Sequence, residues 1–266
     1  MKKHNISEDI ILGKNLNDSL KEIYSQGLQH KANQMYDEAI ASFKNVIAQE
    51  PNFMFPYFVL GQCYVELQDW QNVIEPFEKV NEFVDDEGDA HFFVGLASFH
   101  LRTYPKAIES IKKSIEIGLK DNRLDTVYYY LAVSEKMNAL TNLQLPLLSK
   151  WDGALQAIDK AIEISSNAFY FIEKGNILVG LNAYTDALAL YKNIYEQVQL
   201  THEYGIHAAL GMATCHSALH SYEECLELLR QILTVVPQIK PQMAQDSGFN
   251  NLRTSPFAQE FENLLK

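Results

Sequence analysis

The sequence predicts an all-α protein built from antiparallel helix pairs that stack in chain order. An aromatic residue followed three places later by a small one occurs six times. The steps between successive aromatics are 34, 34, 47, 33 and 38, and a period near 34 is typical of helix pairs stacked into a solenoid. The six copies are Tyr36 with Ala39, Trp70 with Val73, Tyr104 with Ala107, Trp151 with Ala154, Tyr184 with Ala187 and Tyr222 with Cys225.

The second helix of each unit begins near this aromatic. Four residues after the small position comes a larger residue, and three residues further on comes another position of the same series. Spacings of four and then three place side chains on one face of a helix, so both series are predicted to be buried. The first series is Phe43, Phe77, Ile111, Ile158, Tyr191 and Leu229, and the second is Val46, Val80, Ser114, Ala161, Ile194 and Ile232.

The first helix of each unit carries a small residue near its middle. In five of the six units the offset from this residue to the small position of the second helix is 12, as from Gly61 to Val73. Glycine inside a helix costs about 1 kcal/mol relative to alanine, so its recurrence predicts close contact between the two helices. The residues are Gly27, Gly61, Gly95, Ala132, Gly175 and Ala213.

Two of the six units contain the most complete copies of the repeated pattern. One reads Leu60-Gly61, Tyr64, Trp70, Val73 and Phe77, and the other reads Gly27, Tyr36, Ala39, Phe43 and Pro51. The chain resembles the tetratricopeptide repeat family over roughly residues 20 to 237. The resemblance implies a right-handed superhelical solenoid whose concave wall is formed mainly by the first helices.

Two departures from the family pattern stand out. Gln26 and Lys174 replace the leucine that precedes the glycine. The fourth unit is longer between its helices, because the offset from Ala132 to Trp151 is 19, whereas the offset from Gly61 to Trp70 is 9.

The predicted organisation is an N-terminal segment, six helix pairs and a C-terminal cap. Residues 1–19 are interpreted as a tail or a cap on the first helix, with docking into the protein's own groove as the alternative. The fourth pair contains a leucine-rich insertion that either packs on the neighbouring unit or contacts a partner. The segments are 1–19, then about 20–53, 54–87, 88–124, 125–167 with the insertion 138–150, 168–205 and 206–237, and finally 238–266.

The C-terminal segment is predicted to cover the last exposed apolar face of the array. Ser255 is a candidate N-cap with Pro256 in the first turn. The helix that follows offers Phe257, Phe261 and Leu264 on one face. The segment resembles the one that closes many bacterial tetratricopeptide proteins, with Asp246, Phe249, Leu252-Arg253 and Phe257 as matching residues.

Composition excludes several classes of partner. The net charge is -12 and the sequence pI about 5.1, without a Lys/Arg cluster longer than two. Binding to phosphate backbones requires a basic face, so neither nucleic acid nor an anionic membrane is an expected partner.

Location is predicted from the apolar segments and the cysteines. Neither a signal-peptide core nor a membrane span is visible in the sequence. Cys63, Cys215 and Cys225 lie in helical runs and are interpreted as packed thiols. We expect a cytoplasmic, bacterial protein.

Signals for catalysis are weak. Phosphate-binding loops, nucleophile elbows and Cys-x-x-Cys spacings do not occur. His216 and His220 are four residues apart on a predicted helix, but Ser217 stands where a zinc protease carries glutamate. We expect no catalytic residue, metal or cofactor, and a metal-dependent enzyme is the least favoured function.

The resemblance implies which side chains of the first helices face the groove. They are unusually apolar, and exposed apolar patches of this kind mark binding surfaces. Family members that clamp a C-terminal carboxylate use Lys, Asn and Arg where this chain has Tyr24, Leu28, Val59, Asp89 and Phe93. The predicted partner-binding residues are Tyr24, Phe55, Phe58, Val59, Phe92, Phe93, Leu96, Phe99, Tyr129 and Tyr130.

Three explanations for this apolar wall remain open at the level of sequence. A partner's apolar or aromatic peptide or helix binds there, or the chain's own terminus or insertion does, or the rings are partly buried between repeats. The predicted function is therefore a non-catalytic scaffold or adaptor with a protein or peptide partner. The alternative is self-association, in which the groove or the insertion forms a homodimer.

Overall fold

The computed structural model describes residues 16–84, 86–119, 122–142 and 151–266. These residues form α-helices and short 3-10 turns, and none of them lies in a β-strand. The all-α prediction is therefore confirmed. The chain divides into two compact units, Met1–Thr141 and Asn142–Lys266.

The first unit contains seven helices in its described residues. Each helix packs against the next one along the chain. They are α1 (Asp18–Ala32), α2 (Tyr36–Gln49), α3 (Met54–Glu66), α4 (Trp70–Phe83), α5 (Gly88–His100), α6 (Tyr104–Ile117) and α7 (Leu124–Thr141).

The second unit continues the same alternation and ends in short helices. The long ones are α8 (Asp152–Ile164), α9 (Ala168–Gly180), α10 (Tyr184–Val198), α11 (Glu203–Ala218) and α12 (Tyr222–Val235). The short ones are α13 (Lys240–Gln245), α14 (Asn250–Arg253) and α15 (Ala258–Leu265).

The predicted helix-pair core is confirmed by burial. All six small positions of the second helices are fully buried, and the large residues that follow them are at most 1% exposed. A Cβ atom added at Gly61 would lie 2.6 Å from Phe77 Cε2, and one added at Gly95 would lie 2.5 Å from Ile111 Cγ1. The mid-helix glycines therefore do allow the partner helix to approach, as the spacing predicted.

The turns inside five of the six predicted pairs share a backbone geometry that the sequence did not reveal. A non-glycine residue adopts φ between 55 and 64° at the end of the first helix. The next residue donates its N–H to a carbonyl five residues back, at 2.9 Å in each case, which is the Schellman arrangement of a helix C-terminus. The five left-handed residues are Gln34, Gln68, Arg102, Asn182 and His220.

The fourth predicted pair is divided between the two units. Its first helix, α7, ends the first unit and runs to Thr141, four residues into the predicted insertion 138–150. Its second helix, α8, lies in the second unit. The rest of the predicted insertion, residues 143–150, and residues 1–15 of the predicted N-terminal segment lie outside the described residues.

The C-terminal segment covers the last helix pair. Met243, Phe249, Leu252 and Phe261 are buried in one apolar cluster with residues of α11 and α12. Ser255 does not cap the last helix as predicted, because α15 begins only at Ala258. Its hydroxyl instead accepts the Phe257 N–H at 3.0 Å.

Arg253 holds this segment together. Its guanidinium donates to the carbonyls of Met243, Ala244 and Asp246 at 3.1, 2.7 and 2.8 Å. The same group lies 5.7 Å from the ring centroid of Phe261. One side chain therefore joins the C-terminal end of α13 to α15.

The three cysteines are free and buried, as predicted. Burial raises the pKa of the Cys63 thiol to about 11 and the pKa values of Cys215 and Cys225 to about 12. Because the thiolate is the reactive form, these residues act as packing groups.

Candidate functional site

The predicted binding residues that carry rings lie in two clusters of neighbouring aromatic side chains in the first unit. In the first cluster, Tyr24 lies 5.3 Å from Phe53, and Phe53 lies 6.0 Å from Phe55, measured between ring centroids. Both contacts are edge-to-face, the geometry that aromatic quadrupoles favour. Neighbouring rings thus restrain one another before any partner is present.

The second cluster is larger and contains rings from α3, α4, α5 and α7. Phe58 lies edge-on to both Phe77 and Phe93, at 5.4 and 6.4 Å. Phe77 and Phe93 are stacked at 4.7 Å. Tyr130 then joins the cluster through Phe92 and Phe99, at 6.0 and 5.7 Å.

The ten predicted binding residues differ in exposure. Phe92, Phe93 and Leu96 are buried, at 3, 7 and 8% exposure. Their burial agrees with the third explanation, in which rings pack between repeats. Phe55 is 39% exposed, and the remaining six predicted residues, including Val59, are half-buried. We call the accessible ring-bearing residues the aromatic row: Tyr24, Phe55, Phe58, Phe99, Tyr129 and Tyr130.

Two tyrosines of the aromatic row have partly desolvated hydroxyls. Burial raises the pKa of the Tyr24 and Tyr130 hydroxyls above its ordinary value. Both phenols therefore stay protonated near neutral pH and can donate a hydrogen bond. The row combines apolar ring surface with hydroxyl donors.

One ion pair lies against the buried rings of the second cluster. Arg123 Nη2 lies 3.0 Å from Asp89 Oδ1, and the Asp89 side chain is 4% exposed. The Arg123 guanidinium also lies 5.7 Å from the Phe92 centroid and 5.3 Å from the Phe93 centroid. Such contacts to ring faces are attractive, so Arg123 supports the wall and is partnered by a carboxylate.

The histidine pair suggested by the sequence is not a pair on one helix. α11 ends at Ala218, and His220 lies beyond it in the turn with φ of 64°. The expected spacing of four residues on one helix face is therefore wrong, because the turn separates the two rings. Within the described ranges, His, Cys, Asp and Glu form no group of three or more able to hold a metal ion.

Sequence reasoning missed Phe53 and Arg123. Phe53 is 4% exposed although it lies between two helices, where an apolar residue is expected to be exposed. Arg123 directly precedes α7 and reaches back to a residue 34 positions earlier. That separation equals one repeat period and is the only signal that could have suggested the pair.

Comparison with known proteins supports the fold. The chain matches no protein-family profile. It is 22% identical to the E3 ubiquitin-protein ligase CHIP of Arabidopsis thaliana over 135 residues, which are 50% of this chain and 47% of that protein. The alignment thus spans about half the length of this curated relative.

Solved structures are similar over most of their own length. The crystal structure of MamA superposes with a TM-score of 0.60 and 19% identity, covering 71% of this chain and 97% of MamA. YrrB, a tetratricopeptide repeat protein with an unusual peptide-binding site, gives a TM-score of 0.57 and 16% identity, covering 73% of this chain and 92% of YrrB. The chain therefore has the tetratricopeptide-repeat fold, and the resemblance predicted from its motifs is confirmed at the level of fold.

A helix must be both long and apolar to span a membrane. Among the helices of the described residues, none is both long and apolar enough to cross a bilayer.

Proposed function

We propose that this protein is a non-catalytic scaffold that binds an apolar or aromatic peptide or helix of a partner protein along the aromatic row. The observation that carries the proposal is the half-exposure of rings that are already fixed by other rings. A surface ordered in advance loses little conformational entropy on binding. Buried aromatic anchors commonly contribute about 2 kcal/mol or more to an interface.

The fold supports this proposal. YrrB, which shares it, has a peptide-binding site, and stacked helix pairs present continuous surfaces for extended ligands. We place the protein in the cytoplasm because its cysteines are free and buried. We place it in a bacterium because its C-terminal segment resembles the one that closes many bacterial tetratricopeptide proteins. Bond chemistry is not part of the proposed role.

Phe55 offers the sharpest test because the chain contains a matched control. Phe55 is the second residue of α3 and Phe169 is the second residue of α9, and each is 39% exposed. The substitutions Phe55→Ser and Phe169→Ser therefore remove the same side chain, at the same helix position and the same exposure. Only the first belongs to the aromatic row.

The assay starts with panning a random 12-residue peptide display library on the wild-type protein. The enriched peptide is then labelled, and its affinity is measured by fluorescence anisotropy. We expect Phe55→Ser to weaken binding about tenfold or more, which corresponds to roughly 1.4 kcal/mol or more, and Phe169→Ser to change it less than about twofold. Equal effects of both substitutions, or no effect of Phe55→Ser, would refute the proposal.

Self-association is separated by sedimentation equilibrium. If the aromatic row joins two copies of the chain, the wild-type protein dimerises at high concentration and Phe55→Ser does not. We expect the wild-type protein to sediment as a monomer, with the row free to bind peptide.

A further inference from the structure

A second surface, in the C-terminal unit, has a chemistry unlike that of the aromatic row. A cleft of about 700 Å³ lies between α11, α12 and the capping segment. Phe257 contributes a half-buried ring to it, and Met212 and Leu228, each 9% exposed, form its apolar floor. Glu223 and Glu224 stand at its edge in the first turn of α12, and both are exposed.

The cleft is lined by more acidic than basic side chains. Among the described residues that line it, Arg230 is the only lysine or arginine, and it already contacts Glu227 and Glu260. In the part of the chain that the structure describes, neither Glu223 nor Glu224 forms a hydrogen bond or an ion pair. Two carboxylates therefore remain without a cationic partner beside apolar side chains.

His216 also lines the cleft. Its buried Nδ1 has no hydrogen-bond partner among the described residues, whereas buried polar atoms are normally paired. Burial lowers the pKa of His216 and Glu224 opposes that effect. The carboxylate of Glu224 is therefore close enough to the imidazole to influence its charge.

We propose that this cleft docks a basic amphipathic segment of a partner protein. Lysine or arginine side chains of that segment pair with Glu223 and Glu224, and its apolar side chains contact Met212, Leu228 and Phe257. Opposite charges at the rim of an apolar contact guide association and fix the register of the partner. The site is independent of the aromatic row, which carries no such carboxylate pair.

The test uses a fluorescein-labelled 14-residue peptide of lysine and leucine arranged as an amphipathic helix. Affinity is measured by anisotropy at about 0.15 M salt, where charges more than about 8 Å apart are largely screened. We expect Glu223→Gln/Glu224→Gln to weaken binding about tenfold, as the loss of two ion pairs at a partly apolar surface implies.

The matched control is Asp37→Asn/Glu38→Gln. Asp37 and Glu38 occupy the first turn of α2 as Glu223 and Glu224 occupy the first turn of α12. Both double variants therefore lose the same charge and the same interaction with the helix dipole. The control is expected to change the affinity for the peptide less than about twofold. Equal weakening by the two double variants would show that the peptide responds only to the net charge of the protein, and would overturn the proposal.

Three further measurements test where and how the peptide binds. A peptide with serine in place of leucine should bind at least about tenfold more weakly, and equal binding would contradict the apolar part of the site. Phe55→Ser reports whether the lysine–leucine peptide also contacts the aromatic row. Weakening by Phe55→Ser together with no weakening by Glu223→Gln/Glu224→Gln would place the peptide on that row and overturn the proposal. In NMR titrations, a bound peptide ammonium near Glu224 should lower the pKa of His216.

Discussion

Replacing Gly61 by alanine tests the packing of the helix pairs, because two effects of opposite sign compete. Alanine in a helix interior is favoured over glycine by about 1 kcal/mol. The new Cβ, however, would lie 2.6 Å from Phe77 Cε2 and 2.8 Å from two other atoms of the same ring. Real Cβ atoms do not approach this closely, so the ring or the helix must move.

The ring of Phe77 has little room to move. It is fully buried and lies between Phe58 at 5.4 Å and Phe93 at 4.7 Å. Overpacking of a close-packed core costs about 1–3 kcal/mol, and subtracting the helix-propensity gain leaves a net loss of about 1 kcal/mol. We expect Gly61→Ala to lower the free energy of unfolding by that amount.

Urea denaturation followed by circular dichroism at 25 °C measures the effect. Ala41→Gly, at an exposed interior position of α2, calibrates helix propensity and should itself cost about 1 kcal/mol. Combining Gly61→Ala with Phe77→Leu should show a coupling energy of about 1 kcal/mol or more, since the smaller side chain removes the clash. A stabilised Gly61→Ala protein would show that close packing does not explain the mid-helix glycine.

Two other predictions concern the turns and the cap. Gln68→Gly should raise the free energy of unfolding by up to about 1 kcal/mol, because Gln68 has φ of 55° and L-residues are strained there. Gln71→Gly, at an exposed position in the first turn of α4, should lower it by up to about 1 kcal/mol. Losses of stability from both substitutions would contradict the strain. Arg253→Ala removes the donors to the three carbonyls of the cap, which should lower the local stability of the cap by about 2 kcal/mol. Amide hydrogen exchange in residues 243–265 should therefore accelerate about 30-fold. Unchanged exchange would show that apolar packing alone holds the cap.

The repeat was predictable because burial along each second helix is periodic. Positions such as Val73, Phe77 and Val80 recur at spacings that only a helix places on one face, and each is fully buried. The turn residues were not predictable, since glutamine, arginine, asparagine and histidine share only polarity, which most surface residues also have. Their conformation is set by backbone hydrogen bonds to the preceding helix.

The candidate site was predicted only in part. In α5, 10 of the 13 residues are buried, so its apolar residues show no periodicity that separates an outer face from an inner one. Phe93 was therefore grouped with accessible residues such as Phe58, although it is a supporting residue of the wall. The cleft at Glu223 and Glu224 depends on the return of Phe257 to α12, which sequence spacing does not show.

A crystal structure of the full chain with the selected peptide is the most direct test of the proposed function. We expect peptide density in contact with Phe55, Phe58 and Tyr130 of the first unit. Density for the peptide only on the second unit, with the aromatic row uncovered, would contradict it.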